Sequence, residues 1–138
     1  AEPGNSGRSV CITRDLGKTW TEHPSSRQAL TEPVCCAGLL KHTFKKKING
    51  IPPSILIFSN PPNTRKTGGR SRMTLKISLD SGLTWPQKYH LEIDTYNSMY
   101  SCLTSVDNEH IAILYEGSRA RICYQKINLL ELLKLAQQ

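Results

Sequence analysis

Tyr100, Glu116 and an arginine from the segment Arg65 to Arg72 are the residues whose types could together handle an anion. An arginine presents a planar fork that pairs bidentately with a carboxylate. A tyrosine adds a ring with a polar tip, and a glutamate adds a carboxylate beside them. The three lie far apart in the chain, so they meet only if the elements between them fold back at the right places.

Those elements read as short β-strands. Apolar runs rich in Ile, Val, Leu, Tyr and Cys recur at 9–13, 34–40, 54–59, 73–78, 100–106, 110–116 and 120–127, most of them too short for helices. "DNE" at 107–109 signals a tight hairpin between two of them. Only the tail 128–138 has helical spacing, with Leu129, Leu132, Leu133 and Leu135 forming an apolar stripe, which reads as a short packed helix or a frayed extension. An eight-residue phrase occurs twice, as "TRDLGKTW" (13–20) and "SLDSGLTW" (78–85). Both copies fit the Asp box, S/T-x-D-x-G-x-T-W. Its Asp can accept backbone N–H bonds in a tight turn, its Gly supplies a positive φ, its Thr adds a side-chain bond, and its Trp packs flat against sheets. Asp15 and Asp80 are therefore expected to hold a frame rather than to perform chemistry. They stand 65 residues apart, which suits one four-stranded meander plus an insertion, a repeat of the size of a propeller blade. The insertion is expected at 41–53, where a Pro pair and a Lys run suit a loop.

Strand direction alternates in a meander. With the Asp box between the third and fourth strands, one blade comprises 34–40, 54–59, 73–78 and about 88–93, and the next opens with 100–106. The Asp boxes and the hairpin then fall on one face. Glu32, Asn60, the segment Arg65 to Arg72, Tyr100 and Glu116 fall on the other, with Tyr100 nearest the propeller axis. An anion pocket there is one reading; Tyr100 as an ordinary aromatic at a strand edge is the other.

The 138 residues suffice for one domain. No apolar run approaches the ~20 residues of a membrane-spanning helix. Net charge is +7, and eight basic side chains with no acidic ones lie between residues 41 and 72. That patch is either a solvated basic loop or a draw for anions. Phe44 and Phe58 are its only aromatics, which argues against a stacking platform and hence against nucleic acid. Five cysteines show no metal spacing and four histidines are scattered, so no metal site is expected. Cys11, Cys35, Cys102 and Cys123 read as small core residues, and Trp20 and Trp85 as largely buried.

The segments "FSNPPNTRKTGGRSRMTLKISLDSGLTWP" (58–86), "YSCLTSVDNEHIAILYEG" (100–117) and "TRDLGKTWTEHPSSRQALTEPVC" (13–35) together resemble the C-terminal part of the catalytic domain of bacterial-type exo-α-sialidases. The order S-N-P, R-x-x-M-T-L, Asp box, Y-S-x-L, L-Y-E covers nearly the whole chain. The resemblance implies an all-β fold, here about two and a half blades of a six-bladed β-propeller. It implies removal of terminal sialic acids from glycoconjugates with retention, and no cofactor. It favours a secreted or periplasmic setting. It matches Tyr100 to the nucleophile and Arg70 to one of three arginines that clamp the substrate carboxylate, with Arg72 as the fallback. Glu116 matches a buttress of another clamp arginine. The acid/base Asp, the Glu that activates the tyrosine and the other two arginines would lie outside these 138 residues, so the implied partners are sialylated glycans and the rest of the propeller, in the same or another chain. Arg8 and Glu32 sit on the right face, but their contexts do not match the missing residues. The rival reading is a non-catalytic Asp-box propeller that binds a glycan or protein; it leaves the Tyr, Arg and Glu motifs as coincidence.

Overall fold

A computed structural model describes residues 7–63 and 69–135; Arg65 and Lys66 of the basic patch, and the side chain of Leu135, lie outside the described residues. The elements are β1 (Cys11–Ile12), β2 (Thr21–Glu22), β3 (Gly38–Thr43), β4 (Ser54–Asn60), β5 (Thr74–Ser78), β6 (His90–Glu92), β7 (Ser101–Ser105), β8 (His110–Gly117), β9 (Arg121–Asn128) and the helix α1 (Leu129–Leu135). They form three antiparallel sheets: β1-β2, β3-β4-β5-β6 and β7-β8-β9. Each sheet is a meander whose neighbours follow in chain order, as the turn spacing requires.

The sheets stack face to face. Period-two alternation sends Leu40, Ile55, Ile57, Leu75 and Ile77 to one face of the middle sheet, against Leu103, Ile111, Ile113, Tyr115 and Ile127 of the third. The other face of the middle sheet carries Leu39, Leu56 and Phe58, which line a cleft of about 460 Å³ shared with Val10, Ile12 and Trp85 beside the first sheet. Strand β5 is buried throughout. Helix α1 closes the end of the core with Leu129, Leu132 and Leu133, and Asn128 caps it by accepting bonds from the N–H groups of Leu130 (2.9 Å) and Glu131 (3.1 Å). Where the second and third sheets meet, Gly38 is required by close approach: a Cβ there would lie 2.6 Å from Ser59 Oγ and 3.3 Å from Leu103 Cγ. Ser59 and Ser101 bridge the same seam through their hydroxyls at 2.8 Å.

The two Asp boxes close in the same way. Asp15 accepts bonds from Thr13 Oγ1 (2.9 Å), Thr19 N (2.9 Å) and Thr19 Oγ1 (2.7 Å). Asp80 accepts from Ser78 Oγ (2.7 Å), Thr84 N (2.9 Å) and Thr84 Oγ1 (2.5 Å). Gly17 and Gly82 take φ of +91° and +88° and give their N–H groups to Thr13 and Ser78. The Thr19 hydroxyl and N–H hold the Asp15 carboxyl down to about 2. At Asp80 burial pushes upward, and the bonds from Thr84 and Ser78 outweigh it and lower the carboxyl. Replacing Asp80 by Ala should therefore cost roughly 1–3 kcal/mol of stability by stranding these donors, with no specific mark on turnover. A thermal melt paired with an activity assay checks this; unchanged stability with lost turnover would refute the frame role.

Several expectations need correction. Trp20 is 61% exposed and Trp85 half-buried, so the tryptophans are not largely buried. Each instead folds back on its own turn, its indole N–H on the carbonyl of Gly17 (3.1 Å) or Gly82 (3.2 Å). Cys11 and Cys102 are exposed and Cys123 only half-buried; Cys35 alone of the four expected in the core is buried. Cys102 lies on the outer face of the third sheet, in register with Leu114 and Tyr124, where no further sheet covers it among the described residues. The first strand of the middle sheet is 38–43, not 34–40, so the connection to β4 spans 44–53 rather than 41–53. Strand β2 is too short for a two-residue polar pair to have announced it.

Candidate functional site

Alternating strand direction brings Arg70, Arg72, Tyr100 and Glu116 to one end of the sheets. The β4–β5 connection carries Arg70 and Arg72, Tyr100 enters β7, and Glu116 closes β8. The turns bearing Asp15 and Asp80 lie at the other end, between β1 and β2 and between β5 and β6. Tyr100 and Glu116 are cross-strand neighbours: the Glu116 N–H donates to the Tyr100 carbonyl at 3.0 Å, and the Met99 N–H to the Glu116 carbonyl at 3.1 Å. The Arg70 guanidinium carbon stands 5.6 Å from the centre of the Tyr100 ring, within cation–π range.

Arg70 is held from three sides. Its carbonyl accepts from the Ser98 N–H at 3.0 Å, its Nη2 donates to the Val34 carbonyl at 3.0 Å, and its Nη1 approaches Met99 Sδ at 3.9 Å. Arg72 turns away from Tyr100 and pairs with Glu92 on β6, Nη2 to Oε2 at 2.6 Å and Nε to Oε2 at 2.7 Å. Tyr100 is 43% exposed and fronts a shallow depression of about 220 Å³ shared with Ser101, Glu116 and Ile122. The Glu116 carboxylate makes no hydrogen bond or ion pair among the described residues, so it is available to a cation supplied from elsewhere. The neighbouring Tyr115 differs in kind. It is buried, which pushes its phenol up to about 12, although Gln125 donates to its hydroxyl at 3.2 Å. Tyr115 therefore stays a phenol at any ordinary pH.

Behind these residues lies a polar layer that the spacing of sequence motifs did not reveal. Lys76 on β5 is 3% exposed; its amine donates to Asn60 Oδ1 at 2.8 Å, and Asn60 Nδ2 donates to the Thr31 carbonyl at 2.9 Å. Arg8 pairs with Glu32, donates to the Cys35 carbonyl at 2.5 Å and stands 5.5 Å from the Phe58 ring centre. A lysine inside a strand of apolar residues was the available signal. Burial first, and the Arg8 charge second, hold the Lys76 amine down to about 8 from an ordinary 10.5. Between those values the unfolded chain binds more protons than the folded one, so this group makes the fold more stable as pH rises from about 8 to 10.5. Below about pH 8 the penalty is complete. Lys76→Met should lack this rise, on the order of 3 kcal/mol across the window. Melts at about pH 7.5 and pH 10 check it, and parallel behaviour of the two proteins would refute it. No group of three His, Cys, Asp or Glu side chains fit for a metal ion occurs among the described residues.

Stacked antiparallel sheets in chain order, one of them a complete four-stranded meander, with Asp-box turns at one end and a Tyr–Arg–Glu cluster at the other, define a section of a β-propeller. No family model matches the chain. A sialidase of Bacteroides fragilis (strain YCH46) is 49% identical over 128 residues, which are 92% of this chain and 23% of that protein. Among solved structures, the Hadza microbial sialidase Hz136 superposes with a TM-score of 0.79 at 45% identity, over 93% of this chain and 24% of that one. The intramolecular trans-sialidase from Ruminococcus gnavus, solved with oseltamivir carboxylate, shares the fold with a TM-score of 0.67 at 24% identity, over 93% and 29%. The chain spans about a quarter of the length of these relatives. Its sequence and fold match part of a sialidase domain, and the expected resemblance and the all-β propeller fold are both borne out.

Proposed function

We propose that the chain supplies the nucleophile and part of the carboxylate clamp of a retaining exo-α-sialidase acting on terminal sialic acids. The observation that carries this reading is the placement of the Arg70 guanidinium 5.6 Å from the Tyr100 ring centre, at the sheet end opposite the Asp boxes, with Glu116 beside Tyr100 in the ladder. The chemistry accounts for the residue types. The anomeric carbon of a sialic acid already bears a carboxylate, so a carboxylate nucleophile would be repelled. A phenol avoids that repulsion, and sialidases are accordingly an exception among glycosidases that use two carboxyl groups. Arg70 would pair with the substrate carboxylate through its fork. Glu116, whose carboxylate has no partner among the described residues, would hold another clamp arginine from elsewhere in the propeller.

The phenol needs a base, the leaving oxygen needs an acid, and the clamp needs further cations. General acid–base help is commonly worth ~10²- to 10⁴-fold. Residues 1–138 alone should therefore show no measurable hydrolysis of a fluorogenic sialoside, while the full-length protein carrying them is active. Robust turnover by the isolated residues would mean that a group here, such as Glu32, acts as the missing base or acid.

A further inference from the structure

We propose that Arg8 and Glu32 form a positioning device that holds the Val34 carbonyl against Arg70 and so sets the aim of that arginine at the substrate carboxylate; the inference rests on the clamp reading of Arg70. The observation behind it is backbone strain at one residue. Val34 has φ +59°, and it is the only β-branched residue with positive φ among the described residues. A branched Cβ makes that conformation a genuine outlier, which persists only where the surroundings over-determine it. Its side chain is 54% exposed, so burial of the valine does not hold it there.

What over-determines it is the set of bonds on either side. Arg8 N–H donates to the Leu30 carbonyl at 2.7 Å, and Asn60 Nδ2 to the Thr31 carbonyl at 2.9 Å. Arg8 Nη2 grips the Glu32 carboxylate and, beyond Val34, the Cys35 carbonyl at 2.5 Å. Pro33, which is buried, fixes its own φ and restricts Glu32 before it. One guanidinium therefore brackets Val34 from both sides in sequence. The carbonyl left between them points to Arg70 Nη2 at 3.0 Å. Arg70 in turn stands over Tyr100. Without the bracket, Val34 would relax to negative φ and its carbonyl would swing away, leaving the Arg70 fork free to turn.

The test uses the full-length protein and a sialoside substrate. Arg8→Gln should raise KM roughly tenfold with a smaller change in kcat, because it loosens an interaction with the bound carboxylate. Glu32→Gln should do the same, and it stands as the deciding variant if Arg8→Gln does not fold. In an Arg70→Ala background neither change should raise KM further, since both act through Arg70. Val34→Gly should rescue Arg8→Gln, because glycine holds the same φ without strain. Unchanged KM in both single variants, KM effects that multiply with Arg70→Ala, or failure of the glycine rescue would each overturn the proposal. If Arg70→Ala itself leaves KM unchanged, the clamp reading falls and takes this one with it. If Arg70→Ala raises KM but the Arg8 and Glu32 variants act independently of it, only the positioning role falls.

Discussion

Replacing Tyr100 by Phe in the full-length protein is expected to lower turnover by more than about 10³-fold, about 4 kcal/mol of transition-state stabilisation, while leaving sialic acid binding nearly intact. The phenylalanine keeps the ring on which Arg70 stands, 5.6 Å from its centre, and removes only the oxygen that would attack. Tyr115, one register step beyond Tyr100's neighbour Glu116, offers no substitute: it is buried and its phenol is pushed up to about 12. Single-turnover kinetics with a fluorogenic sialoside, together with a competition assay using free sialic acid, would check both halves. Turnover within a few-fold of the parent protein would remove Tyr100 from the chemistry and favour the reading of a non-catalytic propeller.

Replacing Arg70 by Ala is expected to act differently, by weakening binding and turnover together. A hydrogen bond to a charged group contributes about 1.5–3 kcal/mol, so KM should rise by roughly 10- to 100-fold and kcat/KM by at least as much should fall. Arg72→Ala serves as the contrast. Its guanidinium is engaged with Glu92 on β6, so its loss should alter stability slightly and KM little. If the Arg72 variant gave the large KM effect and the Arg70 variant the small one, the assignment of the clamp arginine would be off by two residues. The measurement is KM and kcat for the two variants side by side.

The strands were legible in the sequence because period-two alternation in a meander is a local property. Strands β4, β5, β7, β8 and β9 lie within one or two residues of the apolar runs that announced them, and the tail "NLLELLKL" became α1, capped by Asn128. The Asp boxes were legible for the same reason. Every bond that Asp15 and Asp80 accept comes from within four residues in the chain. Alternation of direction then sorted Tyr100, Glu116 and Arg70 to one end, since each turn reverses the chain whatever the sheets pack against.

Tertiary structure decided what depends on neighbours distant in sequence. The apolar stretch "VCC" at 34–36 reads as strand, yet it is loop, because Pro33, Arg8 and Arg70 commit the backbone around it to other bonds. Trp20 and Cys102 have the composition of core residues, but burial depends on whether another sheet arrives on their face, and side-chain type carries no information about that. Lys76 shows the converse. A lysine reads as surface, and only the pairing of β5 with Phe58 and Asn60 on β4, under Arg8, encloses it. The choice of Arg70 over Arg72 beside Tyr100 is likewise tertiary: both arginines are two residues apart in a basic run, and which one faces the tyrosine is settled by Glu92 taking one and the Val34 carbonyl the other.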